Sequence, residues 1–407
     1  MKSVLVVGAG PAGLVAAKTL LQYGGGKHYK VTVFEAAERV GGMWRALETE
    51  KGDKCSPDMR TNLSRFTVAF SDLSWNAALA YADDKENLSA PRAPLMFPKA
   101  WQVGRYLEAY AQKFIPEENI VCNREVTMTD YTETENQRWN VSSVNTISQK
   151  SYTDKFDHLI VASGFFGRPN NALSDVVQLD ATVESKTVHS TEFRHLSSFD
   201  TNSGNVVVIG GGISGSEAAA TAAFQISNAK YAPGPKPAWA NSKVVHIVNR
   251  PFYCLPRYLP QEAYNPAKQA FHLAPNFVPL DLILYNISRK GEGPISASNG
   301  LVPPEKAKKG HEFIRSLVSD QRDLGSPTLV YRQEHVQYPP YTGVSDTYSE
   351  FVRSGLIVLK QGYASTATQQ PQSNKGSHTS GMLEVEVKPN APWSTVPSDV
   401  SQTFQSN

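Results

Sequence analysis

Cysteine is scarce in this chain. Cys55, Cys122 and Cys254 are the three in 407 residues, and no two of them form a C-x-x-C pair. That excludes a disulfide framework, a thiolate zinc cluster and a thioredoxin-like redox centre. Long apolar runs are missing as well. The most apolar stretch, VLVVGAGPAGLVAA at 4–17, is too short to span a bilayer as a helix, and Gly-Pro-Ala-Gly interrupts it. Charge of one sign is lacking too: 40 Lys and Arg against 38 Asp and Glu leave a formal charge of +2. No dense basic run is present to meet nucleic acid or an anionic membrane. Because the first apolar strand begins almost at Met1, no room is left before it for a charged leader. These absences lead to the expectation of a cytoplasmic protein with no nucleic-acid partner and no membrane span. A homo-oligomer is compatible with them.

What is present begins with a glycine loop. Residues 3–7, SVLVV, are apolar and β-branched, as a parallel strand buried on both faces requires, and 14–22 read as a helix. Between them lies Gly8-Ala9-Gly10-Pro11-Ala12-Gly13. Gly8 permits the tight bend, Gly10 lets a pyrophosphate approach the backbone, and Gly13 lets the helix pack closely on the strand, with the phosphates at the helix N-terminus. A second strand, KVTVFE, ends at Glu35, whose carboxylate can accept from a ribose 2′-OH. An ordinary tight turn is the alternative, and the strand, helix and acid in order argue against it.

The same design occurs a second time. NVVVIG leads into Gly210-Gly211-Gly212-Ile213-Ser214-Gly215 and then a small-residue helix, SEAAATAAFQI. The strand that follows, KVVHIV at 243–248, is succeeded by Asn249-Arg250 where the first unit has Glu35. An arginine suits a 2′-phosphate that a carboxylate would repel, which points to NADP; the other reading is a surface cation at a strand end. A chain of this length accommodates two domains. Two loops with different rims imply FAD at the first and NADPH at the second, an electron donor paired with a flavin.

Further motifs resemble the flavin-containing monooxygenase family of class B flavoprotein monooxygenases. ERVGGMW at 38–44 matches the family's E-x-x-x-x-x-G-G-x-W continuation and implies that Gly42 and Trp44 lie close to FAD. MRTNLSRFTVAFSDLSW at 59–75 resembles its T-N-x-x…F-S-D segment, and LIVASGFFGRP at 159–169 its A-T-G strand end, with Ser163 replacing threonine ahead of Gly164. The identifying motif F-x-G-x-x-x-H-x-x-x-(F/Y) is half kept in VESKTVHSTEF at 183–193, where His189 and Phe193 fit. Its ending, Phe193-Arg194, is closer to flavin-containing monooxygenases than to Baeyer-Villiger enzymes, whose version closes with Trp-Pro. SDTYSEFVRSGLIVLKQG at 345–362 resembles the family's N-D-x-x-x-x-x-I-x-x-G-x-I-x-V run. Beyond it the family's second A-T-G-F/Y is not found, so the resemblance covers about residues 1–362 and lacks the usual C-terminal segment.

The resemblance implies an α/β fold of two Rossmann-like dinucleotide-binding domains in three layers, followed by a disordered C-terminal tail. The expected boundaries are 1–169 for the first part of the FAD domain, 170–330 for the NADP domain, 331–365 for a return to the FAD domain and 366–407 for a polar tail. The implied reaction uses NADPH and O2 to oxygenate a small molecule, at nitrogen or sulfur or by hydroxylation, through a C4a-hydroperoxyflavin; the proline- and glycine-rich insertions point to secondary metabolism. The alternatives are a Baeyer-Villiger-type enzyme and a nucleotide-binding flavoprotein without oxygenase activity. Asn62 of the T-N segment is the implied catalytic residue, since a neutral amide donates and accepts at once; the other reading is a backbone cap. No metal site is expected.

Overall fold

The computed structural model describes residues 1–23, 28–45, 55–78, 95–133, 138–166, 177–179, 181, 186–199, 204–260, 264–265, 270–271, 277–288, 302–370 and 382–388. The chain divides into two compact units, Met1–Arg168 and Pro169–Asn407.

The first unit is built on four parallel strands in the order β3-β2-β1-β7: β1 Lys2–Val7, β2 Tyr29–Phe34, β3 Ile120–Val121 and β7 His158–Val161. The central strands β1 and β2 are buried on both faces, and alternation decides which residue meets which layer. Val6, Val31 and Val33 pack with helix α1 (Pro11–Tyr23) and helix α2 (Ala100–Phe114), whereas Leu5 and Phe34 pack with Val141 and Phe156. The latter two belong to an antiparallel sheet of β4 Arg124–Thr132, β5 Arg138–Asn145 and β6 Ser151–Phe156. Helices, parallel sheet and antiparallel sheet form three layers, as expected. Helix α1 starts at Pro11, where a missing N–H costs nothing. At the start of α2, Gln102 Oε1 accepts from the Lys99 N–H at 3.0 Å.

The second unit repeats the scheme. Strand β8 is Gln178–Leu179. Strands β9 Val206–Ile209, β10 Val244–Val248 and β17 Ile357–Gln361 are parallel, in the order β17-β10-β9. Helix α3 (Ile213–Tyr231) covers one face, with Ala219, Ala222, Ala223 and Ile226 against Val244, Val248 and Ile357. On the other face Ile247 meets Ala364 and Ala367 of β18 (Tyr363–Gln370), which pairs antiparallel with β19 (Met382–Lys388) and parallel with β8. Two-stranded pairings join β11 Tyr253–Leu255 to β16 Thr342–Val344, β12 Tyr258–Pro260 to β15 Phe277–Pro279, and β13 Tyr264–Asn265 to β14 Ala270–Phe271. Helices α4 (Leu280–Ser288) and α5 (Pro304–Val318) bring Leu280 and Ile314 to a further core around Tyr253, Leu255 and Tyr331. Helix α6 (Tyr348–Arg353) places Tyr348 and Val352 in the core under α3.

One expectation is corrected here. Residues 331–365 do not return to the first unit: β17 completes the second unit's sheet, with Val244 opposite Ile357 and Val248 opposite Gln361. Within the segment expected to form a partly disordered tail, β18 and β19 run as paired strands; 371–381 and 389–407 lie outside the described residues. Of the half-kept motif at 183–193, residues 183–185 lie outside the described residues and its end lies on the second unit. Phe193 packs on its core, and Gln225 of α3 accepts from the Leu196 N–H and donates to the Arg194 carbonyl, both at 2.8 Å.

Candidate functional site

Each unit carries a glycine cradle at the C-terminal end of its parallel strands, the place where open α/β sheets receive ligands. In the first, Gly8 has φ +100°, and its N–H donates to the Phe34 carbonyl at 2.7 Å. A Cβ on Gly8 would lie 2.5 Å from the Ala162 carbonyl oxygen and 3.3 Å from Ser163 Cα, so the strand end carrying Ser163 and Gly164 abuts the loop. A Cβ on Gly13 would lie 1.8 Å from the Gly8 carbonyl oxygen. Gly10 faces Gly42: the Gly41 N–H donates to the Ala9 carbonyl at 2.9 Å, and a Cβ on Gly42 (φ +59°) would approach Gly10 Cα to 3.1 Å. Ala12 is exposed in the first turn of α1.

Glu35 is buried beside this loop. One carboxylate oxygen accepts from the Ala9 N–H at 2.7 Å and the other from the Ala37 N–H at 3.0 Å. A carboxylate has about four lone-pair sites, so each oxygen keeps one for a further donor.

Trp44 closes a short helical turn over Gly42–Trp44, and its carbonyl oxygen sits 2.2 Å from where a Gly104 Cβ on α2 would be. The Cys55 thiol donates to the Met43 carbonyl at 3.2 Å, and the Thr61 N–H donates to the Pro98 carbonyl at 2.9 Å just ahead of α2. These ties bring Gly42, Trp44 and the segment bearing Asn62 to one helix, with Asn62 half-buried. Ser163 and Gly164 are exposed, and Gly164 has φ +80°.

The second cradle has the same backbone logic. Gly210 has φ +120°, its N–H donates to the Ile247 carbonyl at 3.0 Å, and a Cβ on Gly215 would lie 1.9 Å from the Gly210 carbonyl oxygen. Gly212 caps α3 with extended backbone, and Ser214 lies half-buried in the first turn. Register corrects one detail. Gly8 bonds to Phe34 and Glu35 follows; Gly210 bonds to Ile247 and Val248 follows. Val248 therefore stands in Glu35's position, under Gly211, whose Cβ would come to 3.1 Å from the Val248 Cβ. Arg250 is two residues farther on, its guanidinium 4.1 Å from the centroid of the Tyr341 ring.

His246 went unremarked in the sequence. It is fully buried, and its Nε2 donates to the Gly210 carbonyl at 2.8 Å, which leaves Nδ1 to accept from the Tyr348 hydroxyl at 2.6 Å. Burial lowers its pKa to about 4, so the ring is neutral. The signal available in the sequence was a lone histidine in an otherwise apolar strand. Gly41 and Gly104 were also passed over. A glycine inside a helix costs about 1 kcal/mol relative to alanine, so Gly104 asks for a packing reason, and Trp44 supplies it.

None of the three cysteines forms a disulfide, and burial pushes the Cys254 thiol up to about 12. Among the described residues no His, Cys, Asp and Glu group could hold a metal, and no helix is long and apolar enough to cross a membrane.

The profile of the pyridine nucleotide-disulphide oxidoreductases matches residues 2–273, which include both cradles. The chain belongs to the pyridine nucleotide-disulphide oxidoreductase family. Within that family it is similar to flavin-containing monooxygenases. It is 31% identical over 221 residues to the flavin-containing monooxygenase FMO GS-OX-like 6 of Arabidopsis thaliana, covering 51% of this chain and 43% of that protein. It is 28% identical over 213 residues to the senecionine N-oxygenase of Tyria jacobaeae, covering 52% and 42%. The matched part thus spans less than half the length of these relatives. In fold it is similar to the solved complex of OTEMO with FAD and NADP, at a TM-score of 0.50 and 17% identity, covering 88% of this chain and 65% of that one.

Proposed function

We propose that the chain binds FAD at its first cradle and NADPH at its second, and that it is a monooxygenase acting on a nucleophilic nitrogen or sulfur of a small molecule. The observation that carries the reading is the contrast between two cradles of one backbone design. Gly13 and Gly215 both close on the carbonyl of the loop's first glycine, at 1.8 and 1.9 Å for a Cβ, yet one rim presents Glu35 and the other Val248 followed by Arg250. A carboxylate accepts from a free ribose hydroxyl and repels a 2′-phosphate; a guanidinium does the reverse.

The residues fit these groups. The glycines leave the loop backbone open for pyrophosphate at the N-termini of α1 and α3, where unsatisfied N–H groups and the helix dipole favour anions. Glu35, already oriented by Ala9 and Ala37, keeps lone pairs for the adenosine ribose. Gly42, packed on Gly10, and Trp44, seated on Gly104, line the first cradle, and Ser163 and Gly164 flank it beside Gly8. When bound, FAD accepts a hydride from NADPH and supplies the chemistry that activates O2. Asn62 is assigned the catalytic position: its neutral amide donates to one partner and accepts from another without adding a charge to a site that must exclude water. Gly210, Gly212, Ser214 and Gly215 hold the second nucleotide, and Arg250 selects its 2′-phosphate.

Similarity to a senecionine N-oxygenase supports a nitrogen acceptor, and the resemblance stated above supports sulfur equally. Plant relatives suit a role in secondary metabolism. The test is mass spectrometry of products formed from an amine, a thioether and a cyclic ketone with NADPH under isotopically labelled dioxygen. One labelled oxygen on nitrogen or sulfur is the expected result. A labelled lactone would assign the Baeyer-Villiger reaction instead, and unlabelled products from chain that retains both nucleotides would leave a flavoprotein without oxygenase activity.

A further inference from the structure

Arg250 does not stand alone at the rim of the second cradle. Its guanidinium lies over the ring of Tyr341 at 4.1 Å from the centroid, and among the described residues no carboxylate is paired with it. Tyr341 is itself fixed from behind. Its N–H donates to the Tyr331 hydroxyl at 2.9 Å, its carbonyl accepts from the Tyr253 N–H at 2.9 Å, and its side chain packs on the second unit's core. Tyr331 is in turn stacked on Tyr253 with ring centroids 4.8 Å apart, and burial raises the pKa of its hydroxyl, so the phenol stays neutral.

From this arrangement we propose that Tyr341 is a specificity-determining positioning residue: its ring holds the Arg250 guanidinium flat, with its N–H edge presented to the 2′-phosphate of NADPH. The inference rests on the assignment of that phosphate to Arg250. An arginine side chain is long and loses rotamer freedom when it binds, and a planar fork held in advance loses less for each hydrogen bond formed. A ring whose centroid lies 4.1 Å from the guanidinium carbon covers one side of the group and leaves N–H donors away from the ring to match phosphate geometry. The backbone bonds of Tyr341 do not depend on its ring, so the side chain can be changed while the segment leading into β16 keeps its anchors.

The experiment is calorimetric titration of the full chain with 2′,5′-ADP and with 5′-AMP, which differ only in the 2′-phosphate. Tyr341→Leu is expected to weaken 2′,5′-ADP by about 3- to 30-fold, the range of a cation–π contact, and to leave 5′-AMP unchanged. Tyr341→Phe, which keeps the ring, restores the preference, and Tyr341→Leu adds no further loss in an Arg250→Gln background. Equal weakening of both ligands, no change with Tyr341→Leu, or failure of phenylalanine to rescue would overturn the role of Tyr341. If Arg250→Gln itself leaves the preference for 2′,5′-ADP intact, the assignment of the phosphate to Arg250 fails first and takes this inference with it. Because no turnover is required, the outcome is independent of flavin content.

Discussion

Gly13 and Gly215 tolerate the least change of any residues in the two cradles. Alanine is the better helix former by about 1 kcal/mol, but at either position its methyl would sit within 2 Å of the carbonyl oxygen of a glycine whose N–H is tied to the neighbouring strand. Gly13→Ala should therefore lose bound flavin while the chain still binds 2′,5′-ADP, and Gly215→Ala should do the opposite; flavin released per chain and calorimetric titration read the two separately. Glu35→Gln exchanges a charge-assisted acceptor for a neutral one and should weaken FAD by about 1 to 2 kcal/mol, roughly ten-fold, measured by flavin fluorescence on dilution. Asn62→Ala should keep the flavin and its reduction by NADPH but abolish oxygenated product. An unchanged product yield would remove Asn62 from the catalytic assignment. At this scale the sequence was informative because a G-x-G-x-x-G loop spells out its backbone demands, one glycine at positive φ and one at a close approach. The sequence places Arg250 in register with Glu35, where Val248 stands. Strand register is set by pairing across the sheet, and the intervening insertion YAPGPKPAWANS hid the offset.

Strand β10 does several things at once: Val248 supports Gly211, His246 braces the carbonyl of Gly210, and the chain beyond it delivers Arg250. The imidazole is neutral because burial disfavours its charged form, with a pKa of about 4 against an ordinary 6.5. The unfolded chain therefore takes up this proton first. Stability contributed by neutral His246 is fully present above about pH 6.5 and is lost as pH falls towards about 4, by about 3 kcal/mol. Urea midpoints across that range should fall for the wild type, and the part of the slope due to His246 should vanish in His246→Asn. Equal slopes would show that the ring is not held neutral. Strands and helices of this kind are readable from their periods: 3–7, 205–210 and 243–248 read as strands, and 14–22 as a helix. The partner of His246, Tyr348, is 102 residues away and carries no local signal. For the same reason β17 was assigned to the wrong unit, since an apolar strand does not state which sheet it will join.

At the scale of the whole molecule the chain is two units of like construction, each a parallel sheet with helices on one face and a second sheet on the other, antiparallel in the first unit and mixed in the second. The repetition follows from the sequence pattern, two apolar strands each running into a glycine turn and a helix. The covering layers were less legible: β18 and β19 lie in a stretch rich in Ser, Gln and Asn that reads as tail until its alternation is matched to the face of β10. Duplication with different rims is what the proposed pairing of a flavin with a phosphorylated dinucleotide rests on. The most direct test is the absorbance spectrum of the purified chain, reconstituted with FAD, before and after NADPH is added under air, with NADH in parallel. The account predicts a bound flavin that bleaches rapidly with NADPH, slowly with NADH, and recovers as oxygen is consumed. A chain that FAD cannot reconstitute, or one reduced equally by both nucleotides, would contradict it.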